Sequence, residues 1–256
     1  MHPRSTVDKA HKLLRLGFTD HTVARMCDVP VGTLRHWKYG NRRAPDEEER
    51  RVKGDCPRCT NRELDRAAYA YLLGLYLGDG HIATTWKGVH RIEIACCDGW
   101  PGLIDAAAEA MSAVMPILKI GKRKHPGCTL VGSYSKHWHC LFPQHGPGMK
   151  HTRKIQLDPW QREIVDEFTE EFIRGLIHSD GCRTINRIRK ALKNGSDAWY
   201  EYPRYFFSNA SDDIRKLYTD ALDHLGIAWK QNNARNISVA KREAVARLDE
   251  FVGPKY

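Results

Sequence analysis

Two short stretches of this chain carry the same residue types in the same order. Residues 72–80 read LLGLYLGDG and residues 173–181 read IRGLIHSDG. Each carries small residues four apart (Gly74 and Gly78, then Gly175 and Ser179) and ends in Asp-Gly, at Asp79-Gly80 and Asp180-Gly181. Positions four apart lie on one face of an α-helix, and small residues on one face let two backbones approach closely. The glycine suits the left-handed position that ends many helices. The aspartate is the anomaly, because a carboxylate there faces the negative end of the helix dipole. If the two helices pack through their small faces, the two carboxylates come together and need a cation between them. Hard divalent ions with oxygen ligands, such as Mg2+, meet that need. One such stretch alone reads as a packing helix whose acid caps a loop. Two copies in the same context argue for chemistry.

The elements that must position these acids also repeat. An apolar helix from residue 67 to Gly80 is followed by β-like runs at 81–86 and 89–96, a helix over 102–114, β-like runs at 117–124 and 129–135, and a short helical piece over 137–142. The second half opens on EFTEEFIRGLIHSDG and continues with strands at 183–190 and 202–208, a helix over 212–225, strands at 228–232 and 236–240, and a last helix over 241–252. Even Ser133-Tyr-Ser-Lys136 has its echo in Ser238-Val-Ala-Lys241. The order helix, two strands, helix, two strands, helix occurs twice, which implies a pseudo-twofold architecture within one chain. The expected fold class is therefore α+β. Repeats at about 67–150 and 165–256 make up a 67–256 domain, behind a small all-α domain over 1–45 and a charged linker over 46–66 that carries Cys56-Pro-Arg-Cys59.

Both stretches resemble the LAGLIDADG motif, and the repeat order is similar to that of the single-chain LAGLIDADG homing endonucleases, over about residues 67–256. The resemblance implies an αββαββα fold in each half, the two forming a saddle whose four-stranded antiparallel sheets lie along the DNA major groove. It implies a monomer that hydrolyses phosphodiester bonds of double-stranded DNA with Mg2+ or another divalent cation and leaves short 3′ overhangs. Asp79 and Asp180 match the family's metal-binding catalytic acids, one for each strand, with Gly78 and Ser179 beside them in the metal set. The motif's usual first acidic position is Leu77 here and His178 in the second copy. The family often places a basic residue and a polar amide near its water network. Lys150 and Asn209 stand in roughly corresponding places as further catalytic candidates, with an ordinary phosphate contact or loop residue an equal reading of each.

The β-like runs fit DNA contact. Ile92 and Ile94 alternate with Arg91 and Glu93, so one face can pack on helices while the other reads bases. Arg183, Arg187 and Arg189 share a face with Ile185. These four arginines are the candidate DNA contacts of the main domain, against the bland reading of a solvated sheet face.

Residues 1–40 read as three short helices. Ser5 and Asp8 have capping-box spacing and Gly17 ends the first; the others run over about 20–27 and 31–38. Val23, Ala24, Cys27, Val29, Leu34 and Trp37 fall where two crossing helices bury their inner faces. Asp28 holds the turn position where glycine is usual, and Asp tolerates left-handed backbone better than most residues. The segment resembles helix-turn-helix units, with Thr33, Arg35, His36 and Lys38 facing DNA; a plain three-helix interaction module is the alternative.

Composition agrees with a nucleic-acid partner. Lys and Arg outnumber Asp and Glu 41 to 31 over 256 residues, a formal charge of +10, which points to nucleic acid or an acidic membrane surface. No apolar run approaches the roughly 18 residues of a membrane span, and residues 1–14 lack a signal peptide's apolar core. The eight cysteines follow no secreted framework, so reduced thiols in a cytoplasm are expected. Cys56 and Cys59 form half a zinc site by spacing; Cys96, Cys97, Cys128, His137, His139 and Cys140 supply the rest only if the fold gathers them. The sequence thus reads as a site-specific, homing-type double-stranded DNA endonuclease. The alternative is a non-cleaving, LAGLIDADG-derived transcriptional regulator, and an RNA-splicing maturase is a third class, marked by a preference for RNA. Both acids are present, which favours the enzyme.

Overall fold

The computed structural model describes residues 2–39, 56–60, 62–86, 88–191 and 197–255. The chain divides into two compact units, residues 1–55 and 56–256. Residues 40–55, which include the first part of the expected linker, lie outside the described residues.

The first unit contains α1 (Arg4–Arg15), α2 (Asp20–Met26) and α3 (Val31–Tyr39) around Val7, Ala10, Val23, Ala24, Cys27, Val29, Leu34 and Trp37. The Ser5–Asp8 capping box does not form. Pro3, in extended backbone, is the residue before α1, and the Asp8 carboxylate is taken by Arg4 at 2.9 Å. Thr19 caps α2 by accepting the Thr22 N–H at 3.3 Å. Asp28 turns the chain between α2 and α3 with φ 51°.

The second unit opens with the short α4 (Pro57–Thr60) and then α5 (Arg66–Asp79), β1 (Gly80–Thr84), β2 (His90–Cys97), α6 (Pro101–Val114), β3 (Gly121–His125), β4 (Cys128–Ser135) and α7 (Trp138–Leu141). Cys56 and Cys59, expected in the linker, lie within this unit. A helix with no counterpart among the expected elements, α8 (Pro159–Glu167), lies between the repeats. Its first turn is closed by Gln161 Oε1, which accepts the Asp158 N–H at 3.0 Å. The second repeat follows as α9 (Thr169–Asp180), β5 (Gly181–Ala191), β6 (Asp197–Ser208), α10 (Asp212–His224), β7 (Lys230–Gln231), β8 (Asn236–Val239) and α11 (Arg242–Asp249). Each repeat forms a four-stranded antiparallel sheet, ordered β1-β2-β4-β3 and β5-β6-β8-β7. Among the described residues no helix is long and apolar enough to cross a membrane.

One core spans both repeats and is centred on α5 and α9. Residues Tyr69 to Leu77 of α5 are all buried, the pattern of a helix covered on every side. Gly80 and Gly181 end these helices, but not in the left-handed form expected: φ is −87° and −110°. Glycine is needed there for space. A Cβ on Gly80 would stand 2.5 Å from the Tyr76 Cα, and one on Gly181 2.7 Å from the Ile177 Cα. The chain therefore passes from helix to strand with no loop, and each aspartate sits at the junction.

Candidate active site at the ends of the paired helices

The small residues read from the sequence are the contact between α5 and α9. A Cβ on Gly74 would come within 2.6 Å of the Phe172 carbonyl oxygen and 2.7 Å of the Leu176 nitrogen; one on Gly175 would overlap the Tyr71 carbonyl. At Gly78 a Cβ would collide with the Ser179 side chain and lie 3.1 Å from Asp180 Oδ2. Backbone contact along the whole interface brings the two C-terminal acids to one place.

Their surroundings set their charge. Burial, then the neighbouring Asp180 carboxylate, pushes Asp79 up to about 6, although one side of Asp79 stays open to solvent. Burial also raises Asp180, against the pull of its hydrogen bond from Asn209 and of Lys150 and Lys255. Asn209 Nδ2 donates to Asp180 Oδ2 at 2.5 Å, and its own Oδ1 accepts the Ser211 N–H. The amide is thus fixed in orientation by the turn before α10. Lys150 Nζ donates to the carbonyls of Tyr76 and Gly78, both at 2.6 Å. Burial lowers Lys150 to about 8 while both aspartates hold it up. It is a cation placed on the last carbonyls of α5, where the helix dipole is negative.

Lys255 is the corresponding cation at the end of the second helix, on the first carbonyl of β5, and no local pattern in the sequence marks it. Its Nζ donates to the Gly181 carbonyl at 2.5 Å. With Asp79, Ser179, Cys97 and Trp100 it lines a cleft of about 200 Å³. Ser179 turns its hydroxyl back onto the Gly175 and Leu176 carbonyls at 3.1 and 3.0 Å, so the hydroxyl is taken up within its own helix. The sequence candidates Asp79, Asp180, Gly78, Ser179, Lys150 and Asn209 are therefore gathered in one place, with Lys255 added. His178, at the motif's variable position, is structural. Nε2 lies 2.9 Å from the Val252 carbonyl, which can only accept, so Nδ1 accepts from the Tyr71 hydroxyl at 2.9 Å.

No protein-family model matches the chain, and no curated protein matches it by sequence. Solved structures do match. A variant of the homing endonuclease I-DmoI, in complex with its target DNA in the presence of Mg, superposes on 75% of this chain and 98% of its own at 18% identity and a TM-score of 0.50. I-DmoI in complex with DNA and Mn covers 75% and 99% at 16% identity and 0.49. The LAGLIDADG meganuclease I-AabMI bound to uncleaved DNA covers 72% and 82% at 12% identity and 0.45.

The chain has the LAGLIDADG homing-endonuclease fold.

Within that fold the candidate DNA contacts fall on different faces. Directly paired residues on neighbouring strands share a face. Arg91 pairs with Tyr134, on the side opposite the buried Ile92 and Ile94, so it lies on the open face, where Glu93 holds it at 2.8 Å and also binds Arg123 at 3.1 Å. Arg183 does not lie on the open face. It pairs with the buried Tyr205 and makes a two-pronged contact with Asp249 of α11 at 2.8 and 2.9 Å. Arg187 and Arg189 follow it on the same side of β5 and pair with Glu201 and Asp197. The open face of this sheet carries instead Thr184, Asn186, Tyr202 and Arg204. Arg204 donates to Ser238 Oγ at 2.9 Å, while its buried Nε has no partner. In the three-helix unit Thr33 is half-buried and Arg35, His36 and Lys38 are exposed on α3. Asp20 of α2 holds Lys38 at 2.8 Å and Arg35 at 3.5 Å, so two of the candidate cations of α3 are already paired with an acid.

Proposed function

We propose that the chain is a metal-dependent, site-specific endonuclease of double-stranded DNA. The observation that carries this reading is the pair of carboxylates, Asp79 and Asp180, set side by side at the ends of two helices that touch backbone to backbone. The two carboxylates are hard oxygens and suit Mg2+ or a similar ion, with the Ser179 carbonyl and the Gly78 carbonyl, which Lys150 holds in this structure, as further candidate donors. Asp79 is raised first by burial and then by the Asp180 carboxylate, and a bound cation would offset both. A divalent cation bound there supplies an activated water and charge for the leaving oxygen of an in-line displacement.

The chain's own residues do the rest. Asp79 and Asp180 each serve one DNA strand, since the two repeats face the duplex with opposite polarity. Asn209 keeps one Asp180 oxygen oriented. Lys150 ties down the end of α5 and adds positive charge where the phosphate arrives. Because both acids belong to one chain, the site is complete in a monomer. The open faces of the two sheets, with Arg91, Asn186, Tyr202 and Arg204, supply groups that read base edges and hold phosphates. The separate three-helix unit, read as a helix-turn-helix, lengthens the recognised site through α3.

The presence of that unit also supports a second reading, a DNA-binding regulator that no longer cuts. One assay separates the two. A library of double-stranded targets is selected for binding and then incubated with Mg2+, beside Asp79→Asn and Asp180→Asn. The endonuclease reading expects cleavage at bound sites that is lost with EDTA and in the variants; tight binding with no cleavage favours the regulator.

A further inference from the structure

We infer that Cys56, Cys59, His137 and Cys140 form a structural Zn2+ site that clips the start of the second unit onto its first repeat. The four ligand atoms lie within 4.8 Å of one another. Cys59 Sγ is 3.6 Å from His137 Nδ1 and 3.7 Å from Cys140 Sγ, and Cys140 Sγ is 3.7 Å from His137 Nδ1. A tetrahedral zinc with Zn–S near 2.3 Å and Zn–N near 2.0–2.1 Å requires S–S edges of about 3.8 Å and S–N edges of about 3.5–3.6 Å. The three edges match that solid. They do not match a disulfide, whose sulfurs would be about 2.05 Å apart.

The local backbone shows why these residues converge. Cys56-x2-Cys59 and His137-x2-Cys140 are the same device used twice. In each, the N–H of the fourth residue bonds to the carbonyl of the first at 3.0 Å, Cys59 to Cys56 and Cys140 to His137. A single helical turn of this kind points its first and fourth side chains the same way. Two such turns face each other across 78 to 81 residues of chain. Other contacts hold the clips in register: Arg58 lies over the Trp160 ring of α8 at 4.4 Å, and the Tyr69 hydroxyl donates to the Leu141 carbonyl at 2.5 Å. The remaining candidates go elsewhere. Cys96 is buried beside Leu103, and His139 stacks on His90 at 3.7 Å.

The ligand set selects the ion. Three thiolates and an imidazole disfavour Mg2+ and Ca2+ and suit a closed, four-coordinate zinc site with no position left for substrate. The role is therefore to hold α4 and the entry to α5, the helix that carries Asp79, against α7. The site shares no residue with the acids, so it stands whether or not the chain cuts DNA.

The test uses the full chain, purified without chelator. Elemental analysis is expected to find one zinc per chain, released by a thiol-specific mercurial and not by dilute EDTA. Exchange for Co2+ should give the intense visible bands of a tetrahedral thiolate site. Cys140→Ser and His137→Ala should lose the zinc and lower Tm, while Asp79→Asn should keep it in full. If a variant does not fold, the cobalt spectrum of the wild-type chain decides alone. Zinc well below one per chain, an octahedral cobalt spectrum, or a Cys59–Cys140 disulfide found by mass spectrometry in freshly purified protein would each overturn the proposal.

Discussion

Gly74 of α5 and Gly175 of α9 meet backbone to backbone: a Cβ built on Gly175 would lie 3.0 Å from the Gly74 Cα. Protein interiors do not absorb such an overlap without moving a helix. Gly175→Ala is expected to lower stability by about 3 kcal/mol and to part the two aspartates, so that cleavage falls more steeply than folding under native conditions. Gly32 in α3 is the contrast, because a Cβ there would meet nothing within 4 Å; Gly32→Ala is expected to be neutral or slightly stabilising. Urea unfolding of the two variants checks both. A Gly175→Ala chain as stable as the parent would mean the helices do not pack this way.

Asp79 has a raised value in the fold, so its contribution to stability is largest at low pH and is lost as pH rises from its ordinary 3.8 through about 6. Above pH 7 it is a destabilising charge. Asp79→Asn should therefore raise Tm at pH 8 in EDTA, by the equivalent of about 0.5–1 kcal/mol once its open side is allowed for, with the gain vanishing near pH 4. Added Mg2+ should stabilise the parent chain and not the variant, and protons should compete with the ion below about pH 6. A variant less stable than the parent at pH 8 in EDTA would make Asp79 a structural cap.

His178 carries the opposite sign. Burial, and then the charge of Arg174, depress it to about 4, so the neutral ring is what the fold accepts. Its contribution is complete above the ordinary 6.5 and is lost as pH falls from 6.5 toward 4. Tyr71→Phe removes the hydroxyl that satisfies Nδ1 and should cost about 1–3 kcal/mol at pH 7. At pH 4 the protonated ring carries a proton on Nδ1 as well and must donate there, and the Tyr71 hydroxyl can turn to accept it, so the loss should persist or grow as pH falls. Thermal melts across pH 4–8 follow the two effects, and a loss near zero over that whole range would show that the Tyr71–His178 bond is not what holds the ring.

Why some of this is legible in the sequence is a matter of repetition and period. Asp79 and Asp180 stand out because two copies of one pattern occur in one chain, and the glycine spacing carries the packing with it. Ile92 and Ile94 alternate cleanly with Arg91 and Glu93, so their faces are readable. In β5 the alternation fails, since Ile185 and Ile188 fall on opposite faces and the other positions from Arg183 to Lys190 are polar. A period of two divides such a strand into faces without saying which one the helices cover. Arg183 is misplaced by the sequence pattern for that reason. Lys255 is invisible to it because it reaches the site from about 75 residues beyond α9 through a bond to a backbone carbonyl, which leaves no trace in local spacing. Gly80 and Gly181 are recognisable as helix ends, but the reason is crowding by Tyr76 and Ile177 and not a left-handed turn.

The two faces of the second sheet give the sharpest test of where DNA lies. Arg183 and Arg204 are both arginines on paired strands, one residue out of register, on opposite sides of the sheet. Arg183 is bound to Asp249, which also accepts from the Tyr205 hydroxyl at 2.6 Å. Arg204 has a buried Nε without a partner on the open face. Arg183→Ala should cost up to about 1 kcal/mol of stability, the scale of a half-exposed ion pair, and leave DNA affinity unchanged. Arg204→Ala should do the reverse and leave Tm nearly unchanged. If Arg204 meets a phosphate, affinity for every sequence should fall alike and the log–log salt slope should drop by about 0.9. If it meets a base, the slope should hold and discrimination at one position should fall by about 1–3 kcal/mol. Binding titrations at several salt concentrations, on a selected target and on random DNA, measure all of these. Affinity that tracks Arg183 and ignores Arg204 would put the duplex on the other side of the sheet and overturn the proposed interface.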